Sequence, residues 1–229
     1  YTIAVSSSCF ACGSYDLDPK GFGTEQIQEE AQALFPNASI ARMDFDTTRG
    51  KYVYDQIIEL FEKRSVDILV GTQMLTKGLD FRHVKLVGVL NADQLINFPD
   101  FRSHERSYQL LQQVSGRAGR TDIRGHVLIQ SFQPNHNILQ QVSTNNYAKM
   151  FKEQIYQRRI YNYPPYFRLI KITLKHRDFN KTNAAADWLK TALYQVFGDS
   201  VLGPESPQVP RIRNLYLSLI HIPSPRDGW

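Results

Sequence analysis

The sequence has little cysteine, no long apolar run and no export signal. Only two of its 229 residues are cysteines, Cys9 and Cys12, so a disulfide framework is excluded. No uninterrupted apolar run reaches membrane-spanning length, and the first residues lack the basic start and apolar centre of a secretion signal. We therefore expect a cytoplasmic protein without membrane contact.

The composition is otherwise that of an ordinary globular protein. Apolar residues make up 42% of the chain, which is enough for the core of one large domain or two small ones. The net charge of +5 favours an anionic partner, although it does not single out nucleic acid.

From Gly23 onward the sequence alternates between helical and strand patterns. The first predicted helix has a Thr24 cap, carries Ile27, Ala31 and Leu34 on its apolar side, and ends at Pro36. The later predicted elements are a strand at 40–45, a helix over Tyr54, Ile57, Ile58 and Phe61, strands at 66–70 and 86–90, a helix from Ser103, and a strand at 127–129. This alternation predicts a parallel sheet with helices on both faces, in which ligands bind at the carboxyl ends of strands.

After about Pro134 the pattern changes to that of a smaller α+β domain. The predicted elements there are a helix over Tyr147, Phe151, Ile155 and Ile160, a stiff break at 163–166, a strand at 170–174, a helix at 183–197 and a final strand at 215–220. No catalytic cluster stands out, so we interpret this domain as structural or as an interaction surface.

The segment from Gln113 to Arg120, with the sequence Gln-Val-Ser-Gly-Arg-Ala-Gly-Arg, is the strongest functional signal. If the helix from Ser103 continues through it, Gln113, Arg117 and Arg120 lie on one face. Guanidinium groups at this spacing suit a polyphosphate because each is a planar, permanently charged donor. The alternative is a solvated basic helix end.

Two loops follow predicted strands. The loop from Gly71 to Asp80 is not a Walker A motif, because Thr76 precedes Lys77 and Gly78 follows it. It can still bring Thr72 and Lys77 to a phosphodiester backbone and Asp80 to a ribose hydroxyl, or it is an ordinary connection. The loop at 91–106 is rich in paired charges and, taken alone, is best explained as solvated and salt-bridged.

The Cys9-Phe10-Ala11-Cys12-Gly13 segment has the form of a zinc-ribbon knuckle. It supplies only two of the four ligands that a structural zinc site needs, so we expect a half site. A redox dithiol and an inert surface pair remain alternatives.

In this order the segments resemble the second motor lobe of superfamily 2 helicases, and more closely the bacterial replication-restart helicase family. The segments that carry the resemblance are 9–14, 42–48, 71–74 with 77–81 as motif V, 100–106 leading through 109–111 into 113–120 as motif VI, 163–166 and 211–213. The resemblance covers about residues 1–217, and the whole series is far more specific than motif VI alone.

The resemblance implies a RecA-like parallel-sheet lobe at 21–134. A partial zinc-ribbon remnant at 1–20 precedes this lobe, and a small α+β C-terminal domain at 135–217 follows it. Residues 218–229 do not match, and the prolines at Pro223 and Pro225 are expected to break the closing strand. We expect this tail to be foreign or out of frame.

The resemblance also implies the roles of individual residues. ATP with Mg²⁺ would bind between this lobe and another that holds the phosphates. The implied sites are Arg120, Arg117 and Gln113 for catalysis, Gly78, Asp80, Arg117 and Arg120 for nucleotide, Thr72, Gln73 and Lys77 for DNA, and Cys9 and Cys12 for Zn²⁺.

The implied activity is that of a monomeric 3′-to-5′ DNA helicase that remodels stalled forks and starts primosome assembly. Its implied partners are forks and single strands of DNA, single-stranded DNA-binding protein and other primosome proteins. Without Walker A and B motifs, this chain alone is expected to be inactive. The alternatives are a non-enzymatic module that binds DNA or primosome proteins, and another superfamily 2 translocase.

Overall fold

A computed structural model describes residues 23–44, 47, 52–72, 83–116, 118, 125–207 and 209–225. The chain divides into two compact units. The first unit comprises residues 1–89 and 113–128, and the second comprises 90–112 and 129–229. The domain boundaries given above follow the family resemblance and stay a prediction.

The first unit contains short helices and strands in alternation. Its described elements are α1 (Thr24–Leu34), β1 (Ile40–Met43), α2 (Val53–Glu62), β2 (Ile68–Gly71), β3 (Leu86–Val89) and β4 (His126–Ile129, of which residues up to Leu128 belong here). Strands β1 and β2 pair in parallel, with Ile40 opposite Ile68 and Met43 opposite Gly71. Strand β3 pairs with β4. The predicted parallel pairing is thus confirmed for β1 and β2.

The core of the first unit forms around Met43, which is fully buried at the end of β1. The residues packed against it are Tyr54, Ile57, Ile58, Phe61, Leu69 and Val84. The four that belong to α2 are the ones whose spacing predicted this helix. Their spacing puts them on one side of the helix, and that side covers the strand.

The start of α1 differs from the prediction. Gly23, not Thr24, is the residue that precedes the helix, and Thr24 occupies its first turn. The Thr24 hydroxyl donates instead to Asp44 at the end of β1. The helix ends at Leu34, two residues before Pro36, as predicted.

The second unit begins with helices and ends in an antiparallel sheet. Its described helices are α3 (Asp93–Ile96), α4 (Ser103–Ser115, of which residues up to Gln112 belong here), α5 (Asn137–Ser143), α6 (Tyr147–Ile160) and α7 (Phe179–Phe197). Its described strands are β5 (Phe167–His176), β6 (Leu202–Glu205), β7 (Arg211–Ile212) and β8 (Leu215–Pro225). Strand β8 lies between β5 and β6, and β7 also pairs with it.

Helix α7 covers this sheet and begins four residues earlier than predicted, at Phe179. The carboxylate of Asp178 accepts a hydrogen bond from the Lys181 backbone N–H and caps the helix. The buried centre of this core consists of Val201, just before β6, and Ile220 and Ile222 of β8. The residues packed against them are Ile172, Leu174, Leu189 and Leu193.

The expected break in the last strand was wrong. Strand β8 continues to Pro225, and Pro223 lies opposite Leu169 of β5. The pairing with β6 reaches only His221, so beyond it β5 is the one partner of β8 among the described strands. A proline, which lacks an N–H, is tolerated in such an edge position. The foreign origin of residues 218–229 stays a prediction.

The buried face of α6 also differs from the one predicted. The helix spans the predicted residues, but Tyr147, Phe151 and Ile160 are about half exposed, at 55%, 48% and 53%. Met150 and Gln154 are the buried residues instead. The side of α6 that faces solvent therefore includes much of its aromatic content.

Candidate functional site

The parallel pairing of β1 and β2 creates a carboxyl edge in the first unit. Because Met43 lies opposite Gly71, the residues that follow, Asp44 and Thr72, leave the sheet at the same edge. The Thr72 side chain is exposed there. Its hydroxyl is a donor and acceptor that a ligand can reach, at the place where α/β proteins bind ligands.

Asp44 is buried at this edge and holds the local backbone. It accepts hydrogen bonds from the Thr24 hydroxyl at 2.5 Å and the Thr47 backbone N–H at 2.8 Å. Its own backbone N–H donates to the Thr47 hydroxyl at 2.9 Å, which makes the bonding between the two residues reciprocal. Arg42 approaches it at 3.3 Å. The hydrogen bond from Thr24 is the main cause that lowers the pKa of Asp44 to about 2, and the bonds from Thr47 and the charge of Arg42 add to it.

This carboxylate is structural rather than catalytic. With a pKa of about 2 it stays ionised at neutral pH and cannot serve as a general acid or base there. It ties the start of α1 to the end of β1 through Thr24. The Asp-x-x-Thr spacing from Asp44 to Thr47 is the sequence signal that could have identified this turn.

The end of α4 carries Gln113, which is exposed on the last turn of the helix. The helix ends at Ser115, and Gly116 follows in a turn. The Ala118 backbone N–H donates to the Ser115 carbonyl at 3.4 Å, and Ala118 lies in a bend. The condition that α4 continues through Arg120 was therefore wrong, because the helix ends next to a glycine, the residue that most often follows a helix terminus.

The remaining predicted site residues lie outside the described part of the chain. They are Cys9, Cys12, Gln73, Lys77, Gly78, Asp80, Arg117 and Arg120. Of the predicted site residues, Thr72 and Gln113 alone are described. Both are exposed, and their roles stay predictions.

The charged loop before α4 folds onto itself in the second unit. Asp100 forms ion pairs with Arg102 at 3.3 Å and with Arg106 at 3.0 Å, and it accepts a hydrogen bond from the Arg102 backbone N–H at 2.8 Å. Burial acts to raise the pKa of Asp100, but these hydrogen bonds and charges outweigh it, so the pKa lies below its usual value. This observation agrees with the salt-bridged interpretation of the loop.

Arg158 of α6 joins this loop to the later part of the second unit, a contact that no sequence pattern predicted. Its guanidinium donates to the carboxylate of Glu105 in α4 and lies 5.2 Å from the centre of the Phe101 ring. Phe101 in turn stacks on Tyr163, with 4.8 Å between ring centres. The two stretches named by the resemblance, 100–106 and 163–166, thus contact each other directly.

A small cavity of about 190 Å³ lies beside this cluster. Its lining residues are Asp100, Phe101, Ser103, His104, Gln154, Gln157, Arg158, Tyr161 and Tyr163. His104 is half-buried there and packs edge-on against His136, with 5.3 Å between ring centres. Burial, and then the charge of His136, lowers the pKa of His104, so its ring is neutral at physiological pH.

Among the described residues, neither a metal-binding cluster nor a membrane-spanning helix is found. They contain no group of three or more His, Cys, Asp or Glu side chains that could hold a metal ion. None of their helices is both long enough and apolar enough to cross a membrane.

Comparison with known proteins identifies the family. The profile described as "Helicase conserved C-terminal domain" matches residues 22–122. The chain is 40% identical over 214 residues to "Replication restart protein PriA" of Bacillus subtilis (strain 168), an alignment that covers 93% of this chain and 27% of the relative. The chain belongs to the PriA family.

Two further PriA proteins show the same pattern. The chain is 41% identical over 211 residues to that of Synechocystis sp. (strain ATCC 27184 / PCC 6803 / Kazusa), which covers 91% of this chain and 25% of the relative. It is 37% identical over 224 residues to that of Treponema pallidum (strain Nichols), with coverages of 97% and 34%. The chain therefore spans about a quarter to a third of the length of the PriA relatives it matches.

The helicase profile and the fold agree at the level of α/β content. The matched range includes α1 to α4 and β1 to β3, and the parallel β1–β2 pair lies within it. The later α+β part of the chain lies beyond the profile but within the PriA alignments that cover more than nine-tenths of the chain. Both parts of the chain thus belong to the PriA family.

Proposed function

We propose that this chain provides the second motor lobe and C-terminal domain of an ATP-dependent 3′-to-5′ DNA helicase. That helicase remodels stalled or collapsed replication forks and starts primosome assembly. The order of the motif segments within the range matched by the helicase profile carries the proposal. The PriA relatives, which are named as replication restart proteins, support the biological setting.

ATP with Mg²⁺ would supply the phosphoryl group in this reaction. Two of the described residues fit the proposed contacts of this lobe with nucleotide or DNA. Thr72 and Gln113 expose polar side chains, whereas the buried Asp44 is committed to Thr24, Thr47 and Arg42. The family resemblance assigns the metal and most phosphate contacts to another lobe of the full-length protein.

In this proposal the arginines of motif VI stabilise the negative charge that develops during phosphoryl transfer. Arg120 and Arg117 stabilise the γ-phosphoryl group during transfer, and Gln113 orients the attacking water or senses the phosphate. Gly78 and Asp80 contact the nucleotide. Thr72, Gln73 and Lys77 contact the DNA backbone, which suits a translocase because backbone contacts carry no sequence information.

The proposed partners are single-stranded and forked DNA, single-stranded DNA-binding protein and other primosome proteins. Cys9 and Cys12 are proposed to supply two of four thiolate ligands to Zn²⁺, so we expect weak zinc binding or none from this chain alone. Stoichiometric zinc that survives dialysis of the chain against a mild chelator would overturn this expectation.

The test of the proposal is Arg120→Ala in the full-length protein. We expect DNA affinity close to that of the wild type, and DNA-stimulated ATP hydrolysis reduced by about 10³ to 10⁵ because the transition-state charge loses its partner. Lys63→Ala, which removes one exposed positive charge from the end of α2, is the control and should hydrolyse ATP normally. Retained hydrolysis in Arg120→Ala would refute the role of Arg120.

A further inference from the structure

The exposed face of α6 carries a stripe of basic and aromatic side chains. Lys149, Lys152, Tyr156 and Arg159 follow one another at spacings of three, four and three, so they lie on one side of the helix. All four are exposed, and Tyr156 is 67% accessible. With 1.5 Å of rise per residue, the stripe is about 15 Å long. We call these four residues the α6 stripe.

The cations of the α6 stripe differ in their pairing from the other charged residues of this helix. Within the part of the chain that the structure describes, none of the three forms an ion pair. The other charged residues of the same helix are engaged, since Arg158 pairs with Glu105 and Glu153 accepts from Gln141 at 2.6 Å. Positive charge on the stripe is therefore available to an external anion.

The stripe lies in the unit that holds the surplus charge of the chain. Residues 90–112 and 129–225 contain fourteen Lys and Arg against eight Asp and Glu, whereas the whole chain has a net charge of only +5. The remainder of the chain is thus close to neutral. An anion attracted by the field of the protein is directed toward the second unit.

The exposed ring of Tyr156 indicates which class of anion the α6 stripe binds. No ring contact in the described residues involves its side chain, although several neighbouring rings are paired, such as Tyr147 with Phe151. An exposed ring between cations is the arrangement that binds a single strand, whose unpaired bases stack on aromatic rings while its phosphates meet Lys and Arg. The bases of a duplex are already stacked and cannot use the ring.

We propose that the α6 stripe is a binding site for single-stranded DNA, separate from the motor motifs. Lys149, Lys152 and Arg159 contact successive phosphates, and Tyr156 stacks on a base between them. The site rests on the proposed function only in taking DNA as the ligand. It would hold the strand without reading its sequence, since neither kind of contact distinguishes bases.

The first test is the salt dependence of binding by the full-length protein without nucleotide. A fluorescein-labelled oligothymidylate is titrated at several salt concentrations, and binding is followed by anisotropy. The triple variant Lys149→Ala, Lys152→Ala, Arg159→Ala should bind more weakly, and its slope of log K against log salt should be smaller by about 2, as expected for three lost phosphate contacts to a single strand.

The matched control removes two lysines and one arginine from elsewhere in the same unit. Lys175, Arg177 and Lys181 are exposed at the end of β5 and the start of α7. Their triple alanine variant has the same net charge as the test variant and should keep the wild-type slope. An unchanged slope in the test variant, or an equal loss in the control, would overturn the proposal.

The second test isolates the stacking contact. Tyr156→Ala should weaken oligothymidylate binding about fivefold or more, whereas Tyr156→Phe, which keeps the ring, should retain it. Trp188→Ala, which removes another aromatic side chain with 70% exposure, is the control and should bind normally. A Tyr156→Ala variant with wild-type affinity contradicts the proposed stacking.

The outcomes also separate this proposal from the function proposed above. If the wild type binds no single strand at all, both fall. If it binds and hydrolyses ATP normally but the two α6 variants behave like their controls, only the α6 site falls. If polyglutamate displaces the oligonucleotide at an equal concentration of charge, the α6 stripe binds an acidic peptide instead of DNA, and the proposal is wrong.

Discussion

At the scale of single residues, Asp44 shows how a carboxylate can fix a loop at the edge of a sheet. It joins the first turn of α1 to the turn after β1 through Thr24 and Thr47, with Arg42 as the counter-charge. These partners all favour the ionised form, so the carboxylate contributes stability only while it is charged.

This arrangement predicts how stability depends on pH. The pKa of Asp44 falls from 3.8 to about 2 on folding, so its contribution is complete above about pH 4 and is lost as the pH falls through 2. We expect Asp44→Asn to lower the free energy of unfolding by about 1–2 kcal/mol at pH 7 and by progressively less as the pH falls toward 2. Urea unfolding across this pH range measures the difference.

Asp55→Asn is the control for this prediction. Asp55 is exposed on α2, so its replacement should change the free energy of unfolding by only about 0.5 kcal/mol. A difference between Asp44→Asn and the wild type that stays constant from pH 7 to pH 2 would contradict the account of Asp44.

At the scale of elements, Arg158 connects α6 to α4 and to the loop before α4. The ion pair with Glu105 and the contact with Phe101 explain why a charged side chain lies only 15% exposed in the helix. The aromatic stack of Phe101 on Tyr163 extends the contact to the segment before β5.

Replacement of Arg158 should therefore destabilise the protein. We expect Arg158→Met to lower the free energy of unfolding by about 1–3 kcal/mol, because Glu105 loses its partner while much of the volume is kept. Arg159→Met, one residue further on and exposed, should change it by less than about 0.5 kcal/mol. Equal effects of the two substitutions in thermal or urea unfolding would show that the Arg158 cluster is not stabilising.

The same elements show what the sequence could and could not predict. The helix α2 was predicted correctly because Tyr54, Ile57 and Ile58 mark its apolar face by local spacing, and that face packs on Met43. The buried face of α6 was missed because Gln154 and Arg158 are engaged by residues about fifty positions away, His104 and Glu105. Contacts between residues so far apart in the sequence produce no periodic pattern from which they could be predicted.

The candidate site was predictable in a different way. Motif order and resemblance led to the family without any contact geometry, and the PriA relatives confirmed that result. The expected continuation of α4 to Arg120 was wrong, because the helix ends at Ser115 and Gly116 follows it. The spacing of side chains alone does not show where a helix ends. A glycine directly after the last turn is a local end signal, and it outweighs the spacing of the residues beyond it.

At the scale of the whole molecule, the chain combines a helicase-profile region with a more basic α+β region. The first carries the proposed motor motifs, and the second carries the surplus positive charge and the α6 stripe. We propose that the motor hydrolyses ATP and that the α6 stripe provides an additional contact with the DNA strand. The chain spans about a quarter of the length of the PriA relatives it matches in Bacillus subtilis and Synechocystis, so we propose the helicase activity for the full-length protein and not for this chain alone.

The most direct test of this account is fork-stimulated ATP hydrolysis, measured in parallel for the full-length protein and for the 229-residue chain. We expect the full-length protein to hydrolyse ATP only when forked or single-stranded DNA is present, and the chain alone to show no hydrolysis under any condition. Hydrolysis by the chain alone, or a full-length protein that binds DNA but hydrolyses no ATP, would contradict the central claim that this chain is one lobe of a DNA-dependent motor.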